Sequence, residues 1–241
     1  MEDIQKKIEE WIRSKVKEAG AKGVVIGMSG GVDSSVVAVL AKHSLGKKAL
    51  GLILPCDSCP GDAFRAGLVA EEFGVRTEEV NLNKVFGSLR KTFPKADRKA
   101  LGNLKARLRM LVLYHFANKN GYLVLGTSNK SELRIGYITK YGDSGVDLEP
   151  LGDLYKTQVI GLAKRLGIPE KILEAKPTAG LWKGQTDSEE IGVGYDRLDQ
   201  ILEAIEKNET GKFDPKVYEK VKKMISRSGH KRRMPEVCKM S

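Results

Sequence analysis

No stretch of this chain approaches the roughly 18 consecutive apolar residues that a membrane-spanning helix requires. The opening segment alternates charged and apolar residues, which is not the pattern of a secretory signal. Together these absences predict a cytoplasmic protein with no membrane partner. Cysteine is scarce, and three in 241 residues cannot build a disulfide scaffold. Histidine is equally scarce, and His43, His115 and His230 are scattered, which argues against a His/Cys metal cluster. Internal repeats and low-complexity tracts are also missing.

What is present is ordinary globular composition, with 30% charged and 41% hydrophobic residues in a length that suits one domain spanning 1–241. Net charge is +11, and it is uneven. Residues 212–241 hold ten Lys or Arg against three Asp or Glu, so this tail supplies +7 and the first 211 residues +4. A basic segment can bind nucleic acid, but RNA binding usually adds stacking aromatics. The tail has only Phe213 and Tyr218, so a small polyanion or plain solvation is favoured, and no nucleic-acid partner is expected. Cys56 and Cys59 form a C-x-x-C, a spacing compatible with redox chemistry, a disulfide or half a zinc site. With no second such pair and Cys238 isolated, a structural role is the plainer interpretation.

The most informative segment is Ser29-Gly30-Gly31-Val32-Asp33-Ser34, which follows the apolar run Val24-Val25-Ile26 and precedes a helical pattern over 35–43. Strand, tight glycine loop and helix start are the expected order. Two glycines let the backbone fold closely around a ligand. The unpaired N–H groups of the helix start, with the Ser29 and Ser34 hydroxyls, make an anion site strengthened by the helix dipole. Asp33 is repulsive in a phosphate cradle unless a cation intervenes, so it is expected to hold Mg²⁺. The loop is not the common phosphate loop, because no lysine follows the glycines.

Further apolar runs predict strands over 49–54, 75–80 and 122–125, alternating with helices over 62–73, 84–91 and a long amphipathic one over 101–118. An earlier helix spans 4–16. Later ones are expected over 157–166, 170–174, 188–206 and 215–226, while 128–156 reads as a long functional loop. The fold class is therefore α/β, with a parallel sheet of about five strands covered by helices on both faces and a helical C-terminal extension. Ligands on such sheets bind beyond the C-terminal strand ends, which places the glycine loop and Thr127 in one crevice.

The S-G-G-x-D-S loop resembles the pyrophosphate loop of N-type ATP pyrophosphatases, whose fold is that of the adenine nucleotide alpha hydrolases. Gly126-Thr127-Ser128-Asn129-Lys130-Ser131-Glu132, Gly136-Tyr137-Ile138-Thr139-Lys140-Tyr141-Gly142-Asp143 and Asp153-Leu154-Tyr155-Lys156-Thr157-Gln158 resemble ammonia-dependent NAD synthetases. So do Pro177-Thr178-Ala179-Gly180-Leu181-Trp182, Gly184-Gln185-Thr186-Asp187 and His230-Lys231-Arg232, in the same order along nearly the whole chain. The resemblance implies a Mg²⁺-dependent homodimer that condenses deamido-NAD, ATP and ammonia to NAD, AMP and pyrophosphate, without a glutaminase domain. It puts ATP on Gly27, Met28, Ser29, Gly30, Gly31, Val32, Asp33, Ser34, Thr127, Lys156 and Thr178. It assigns Mg²⁺ to Asp33 and Glu132, and deamido-NAD to Arg107, Lys140, Asp147, His230 and Lys231. Lys156 is expected to screen the reacting phosphorus and Asp143 to deprotonate ammonium. The Cys-Asp-Ser-Cys turn departs from the polar, acidic run of many bacterial members, so no ATP contact is assigned there. A tRNA-thiolation enzyme shares the loop but not the Thr139–Asp143 region. A nucleotide-binding regulatory module would not need two carboxylates and a lysine around one triphosphate.

Overall fold

Gly23-Val24-Val25-Ile26-Gly27 is apolar throughout, which suits a strand buried on both faces. In a computed structural model, which describes residues 2–209 and 213–240, it forms strand β1 (Gly23–Gly27). Lys212, counted above in the basic tail, and Ser241 lie outside the described residues. The other strands are β2 (Ala49–Ile53), β3 (Arg76–Glu79) and β4 (Tyr122–Leu125). All pairings are parallel, in the order β3-β2-β1-β4, with Ile26 registered against Gly51 on one side and Leu125 on the other. Connections leave β1 toward β2 on one flank, while β4 occupies the opposite flank. The C-terminal ends of β1 and β4 therefore flank the switch point at which such sheets open a crevice.

The helices are α1 (Glu2–Glu18), α2 (Val32–Leu45), α3 (Pro60–Glu72), α4 (Asn83–Thr92), α5 (Arg98–Asn120) and α6 (Lys130–Ile135). They continue as α7 (Lys156–Leu166), α8 (Glu170–Leu173), α9 (Asp187–Ile191), α10 (Tyr195–Glu206) and α11 (Pro215–Arg227). Side chains alternate across a strand, and β1 shows the consequence. Val24 and Ile26 enter one core with Ile12, Leu40, Val69 and Leu162 of α1, α2, α3 and α7. Val25 enters the other, with Phe86 and Leu108 of α4 and α5. A third cluster, built on Ile135, Ile191, Leu198, Ile201 and Val221, joins α6 to α9, α10 and α11 and forms the C-terminal helical extension. Among the described residues no helix is long and apolar enough to cross a membrane.

Three details differ from the sequence expectation. The described sheet has four strands rather than about five. Leu148 makes a single parallel bridge to Leu125, but the ladder stops because the Val124 N–H is taken by the Asp147 carboxylate at 2.7 Å. The helix expected over 188–206 is two helices, since Gly192 closes α9 in the left-handed region (φ 77°) and Gly194 begins α10. The loop expected over 128–156 contains α6. Asn129 accepts from the Glu132 N–H (3.0 Å) while Glu132 accepts from the Asn129 N–H (3.3 Å), a reciprocal cap that nucleates this short helix.

Candidate active site

The loop between β1 and α2 is held open by its own hydroxyls. Ser29 and Ser34 Oγ lie 3.0 Å apart, and Ser34 and Ser35 Oγ donate to the Gly31 carbonyl at 3.0 and 2.8 Å. Gly31 is the N-cap of α2 and offers no side chain, so the first-turn N–H groups face outward as an anion site. Gly30 has φ 79°, and a Cβ there would lie 2.2 Å from the Asp62 carbonyl oxygen. Both the backbone region and the close approach demand glycine.

In front of the loop lies a cleft of about 800 Å³. Residues 27–34 line it, with Thr127, Glu132, Asp143, Lys156, Thr178 and Lys231. All the expected ATP residues thus meet in one place. At its floor the Lys156 ammonium, 3% exposed, hydrogen-bonds Asp33 and approaches Glu132 at 3.5 Å. Asn129 ties the carboxylates together, since its Nδ2 donates to Asp33 Oδ1 (3.0 Å) and its cap fixes Glu132. Burial pulls the Lys156 pKa down, but the Asp33 and Glu132 carboxylates outweigh it and the net shift is upward, so the lysine stays charged. Burial pushes the Glu132 carboxyl up, against the pull of Lys156. Two hard oxygen donors beside a phosphate cradle fit Mg²⁺, which takes one or two carboxylates and completes its shell with phosphate and water. Among the described residues no group of three or more His, Cys, Asp or Glu side chains is placed to hold a metal ion.

Lys156 is placed through its backbone. Its N–H donates to Ser131 Oγ (2.9 Å), Ser131 donates in turn to Asp199, and the second Asp199 oxygen takes the Thr157 N–H (2.9 Å). A buried carboxylate on α10 therefore anchors the start of α7, where negative charge complements the helix dipole. Asp143 sits in a tight turn, accepting from the Thr139 N–H at 2.9 Å. Water reaches it inside the cleft, yet the surrounding protein desolvates it enough to raise its pKa.

The expected deamido-NAD residues are distributed differently. Lys231 lines the cleft, with Nζ donating to the carbonyls of Gly136 and Ile138 at 2.8 Å. Arg107, Lys140 and His230 form a separate chain: Arg107 donates to the Lys140 carbonyl at 3.2 Å, and Lys140 Nζ to the His230 carbonyl at 2.7 Å. Asp147 is engaged by the Tyr114 hydroxyl (2.9 Å) and the Val124 N–H. None of these four lines the cleft. Arg107 and Tyr114 follow helical spacing along the outward face of α5, whereas Asn103, Ala106, Arg109 and Met110 face the cleft.

Several residues were not anticipated. Asn129 was legible as an N-x-x-E capping box. Asp187 stands in the Gly184–Asp187 motif without an assigned role, and Tyr195 is not singled out, because only tertiary packing brings them to Glu132: the Tyr195 hydroxyl donates to Asp187 (2.9 Å) and reaches Glu132 at 3.3 Å. Lys105 and Arg109 fasten the Cys-Asp-Ser-Cys turn to α5 through Asp57 (3.1 Å) and Ser58 (2.9 Å). Cys56 is buried and Cys59 exposed, both with free thiols. The strap over 177–187 is secured at two points. Trp182 and Leu181 pack on Gly102, where a Cβ would come within 3.0 Å of Leu181, and Gln185 and Tyr137 share Glu190 at 2.6 Å each.

The sequence pattern of the NAD synthase family matches residues 4–235. The chain is 45% identical over 236 residues to the NH(3)-dependent NAD(+) synthetase of Syntrophomonas wolfei, covering 95% of this chain and 92% of that one. Among solved structures it superposes with TM-score 0.91 on an NMN synthetase from Francisella tularensis (35% identity, 98% of each chain). It gives 0.87 with an NH3-dependent NAD synthetase from Campylobacter jejuni in complex with nitrate (30% identity, 99% of this chain and 98% of that one). A glycine cradle at the switch point, a charged lysine between two carboxylates and similarity along nearly the whole length agree, and the chain belongs to the NAD synthase family.

Proposed function

We propose that this protein is an ammonia-dependent NAD synthetase that joins ammonia to the nicotinate carboxyl of deamido-NAD, activating it with ATP and releasing AMP and pyrophosphate. The observation that carries this is the Asp33–Lys156–Glu132 cluster facing the glycine loop across one cleft. Adenylation requires one anion, the nicotinate carboxylate, to attack another, the α-phosphate. Lys156, kept charged by its carboxylate neighbours, lowers that repulsion and stabilises charge on the pentacoordinate phosphorus. The loop N–H groups between Gly27 and Ser34 receive the departing pyrophosphate, and Thr127 and Thr178, which line the same cleft, contact the nucleotide. Asp33 and Glu132 would hold Mg²⁺, which supplies charge neutralisation on the phosphate oxygens when bound. In the second step ammonia attacks the acyl adenylate, and Asp143 binds ammonium and takes the proton it must shed. The strap over 177–187 keeps water from the adenylate.

Residues 1–241 act as one synthetase domain in the cytoplasm, drawing on free ammonia rather than a glutaminase partner. We place a homodimer contact on the outward face of α5, where Leu111 is 61% exposed one turn from Arg107. Arg107, Lys140, Asp147 and His230 then meet deamido-NAD at the boundary between two copies, and Lys231 meets it from inside the cleft.

A mononucleotide acceptor is the second possibility, because the Francisella protein of TM-score 0.91 is an NMN synthetase. The carboxyl chemistry is the same, and only the far half of the substrate differs. Purified protein is supplied with ATP, Mg²⁺, ammonium and either deamido-NAD or nicotinate mononucleotide, and NAD, NMN, AMP and ADP are quantified. The expected result is NAD and AMP in equal amounts, with kcat/KM higher for the dinucleotide. Formation of ADP rejects attack at the α-phosphorus, and a higher kcat/KM for the mononucleotide reassigns the acceptor.

A further inference from the structure

Pyrophosphate carries several negative charges, and the cation at the floor of the cleft is not free to balance them. Lys156 is already paired with two carboxylates, Asp33 and Glu132. The glycine loop itself contains no lysine. One cation does border the loop from the other side. Arg65 of α3 lines the cleft, donating from Nε to the Gly30 carbonyl (3.1 Å) and from Nη2 to Asp62 Oδ1 (2.7 Å). A guanidinium has five donors in a rigid fork, so these bonds leave Nη1 and its two hydrogens for a ligand. The side chain is 26% exposed, enough for an anion to reach it.

The Nε bond also orients the loop. A trans peptide carries its C=O and N–H on opposite sides. Pinning the Gly30 carbonyl on Arg65 turns the Gly31 N–H the other way, where its partner is the Ser29 hydroxyl at a long 3.3 Å. That N–H is consequently available to a stronger acceptor. Asp62 completes the arrangement: its carbonyl oxygen occupies the space a Gly30 side chain would need, so α3 and the loop are in direct backbone contact.

We propose that Arg65 is a pyrophosphate-binding residue, its Nη1 contacting the departing group while its Nε holds the Gly30–Gly31 peptide ready to receive it. This rests on the ATP-cleaving reaction proposed above, and assigns a contact where the chain departs from the family pattern after β2. The test titrates pyrophosphate with Mg²⁺ into the full-length protein and its Arg65→Gln and Arg65→Lys variants by calorimetry, alongside KM for both substrates. Losing a charge-assisted hydrogen bond is expected to weaken pyrophosphate binding in Arg65→Gln, and raise KM for ATP, by about tenfold or more. KM for deamido-NAD and the melting temperature should not change, and Arg65→Lys should recover part of the affinity as a point charge without the fork. Equal pyrophosphate affinity in wild type and Arg65→Gln overturns the inference. So does a parallel loss for both substrates with a lowered melting temperature, which makes Arg65 a structural strut. Weakened pyrophosphate binding in Arg65→Gln, with no NAD made by the wild type, supports this contact and rejects the synthetase function instead.

Discussion

The two ends of the proposed site are built on different principles. At the glycine-loop end, residues 27–34, Thr127, Glu132 and Lys156 come from loops and helix starts that leave the sheet at the β1–β4 switch point, and all of them converge. The other set, Arg107, Lys140, Asp147 and His230, lies outside the cleft and is tied to α5 through Arg107 and Tyr114. The first arrangement is complete within one chain, because parallel strands deliver their C-terminal loops to one edge. The second has its donors bonded to backbone carbonyls and its carboxylate bonded to Tyr114 and Val124. Mutations at the two ends should therefore fail in different kinetic parameters.

The largest effect is expected at Lys156. Lys156→Met removes the buried charge that the proposed mechanism sets beside the α-phosphate, and leaves Asp33 and Glu132 unbalanced. NAD formation should fall by at least about 10²–10³-fold in kcat, the typical loss for one preorganised electrostatic group, while KM for deamido-NAD changes little. Rate assays at saturating ATP separate the two, and a loss confined to KM would break the comparison. The same end should set an acid limit. Burial raises the Glu132 carboxyl, and in its proposed role only the ionised form would hold Mg²⁺. Log kcat should climb with pH and level off at a break above the ordinary carboxylate range. A break within that ordinary range would mean Glu132 is not the metal ligand that titrates.

How much of each end was legible follows from the same contrast. The glycine loop, Asp33 and the strand before it are contiguous, so the order strand, turn, helix is written directly in the chain. Lys156 and Glu132 needed the motif context. Asp187, Tyr195 and Asp199 reach the site only because the third hydrophobic cluster packs α9 and α10 against α6, and no local periodicity encodes that. The helix over Lys130–Ile135 was hidden by its polar sequence, although the Asn129 and Glu132 spacing announced its cap. The charge of the tail was legible but not its use. Arg232 Nη1 donates to the carbonyls of Leu133 and Arg134 and Nη2 to that of Ile225, so it closes the ends of α6 and α11 rather than facing a polyanion.

A moderate effect is expected at the other end. Arg107→Ala should raise KM for deamido-NAD about five- to tenfold, as for one charged hydrogen bond, without altering KM for ATP. Pairing it with Leu111→Glu sharpens the test, because a charge on the proposed contact face should convert dimer to monomer in sedimentation and raise the same KM. Monomeric Leu111→Glu protein with unaltered deamido-NAD kinetics would separate this face from the substrate altogether.

The smallest effect on catalysis, and the cleanest on stability, is expected at Glu149, which lies behind the β4 loop between the two ends. Its Oε2 accepts the Ser128 N–H at 3.2 Å, and its carboxyl fills the space a side chain on Gly126 would occupy, 2.3–2.5 Å from a Cβ built there. Burial pushes its pKa up to about 8, and the Ser128 N–H only partly offsets this. The folded chain thus holds a proton that the unfolded chain releases near the ordinary glutamate value. Wherever the native state binds more protons, stability falls as pH rises, so Glu149 lowers stability progressively between the ordinary value and about 8. Glu149→Gln keeps the shape and removes the titration. Its melting temperature should match wild type near pH 5 and exceed it by a few degrees at pH 9, since about 1 kcal/mol shifts Tm by roughly 2–4 °C at this size. Because the carboxyl does not line the cleft, kcat should be unchanged. A constant Tm offset across that range would mean the carboxyl is already ionised in the folded protein, with a water or cation beside it.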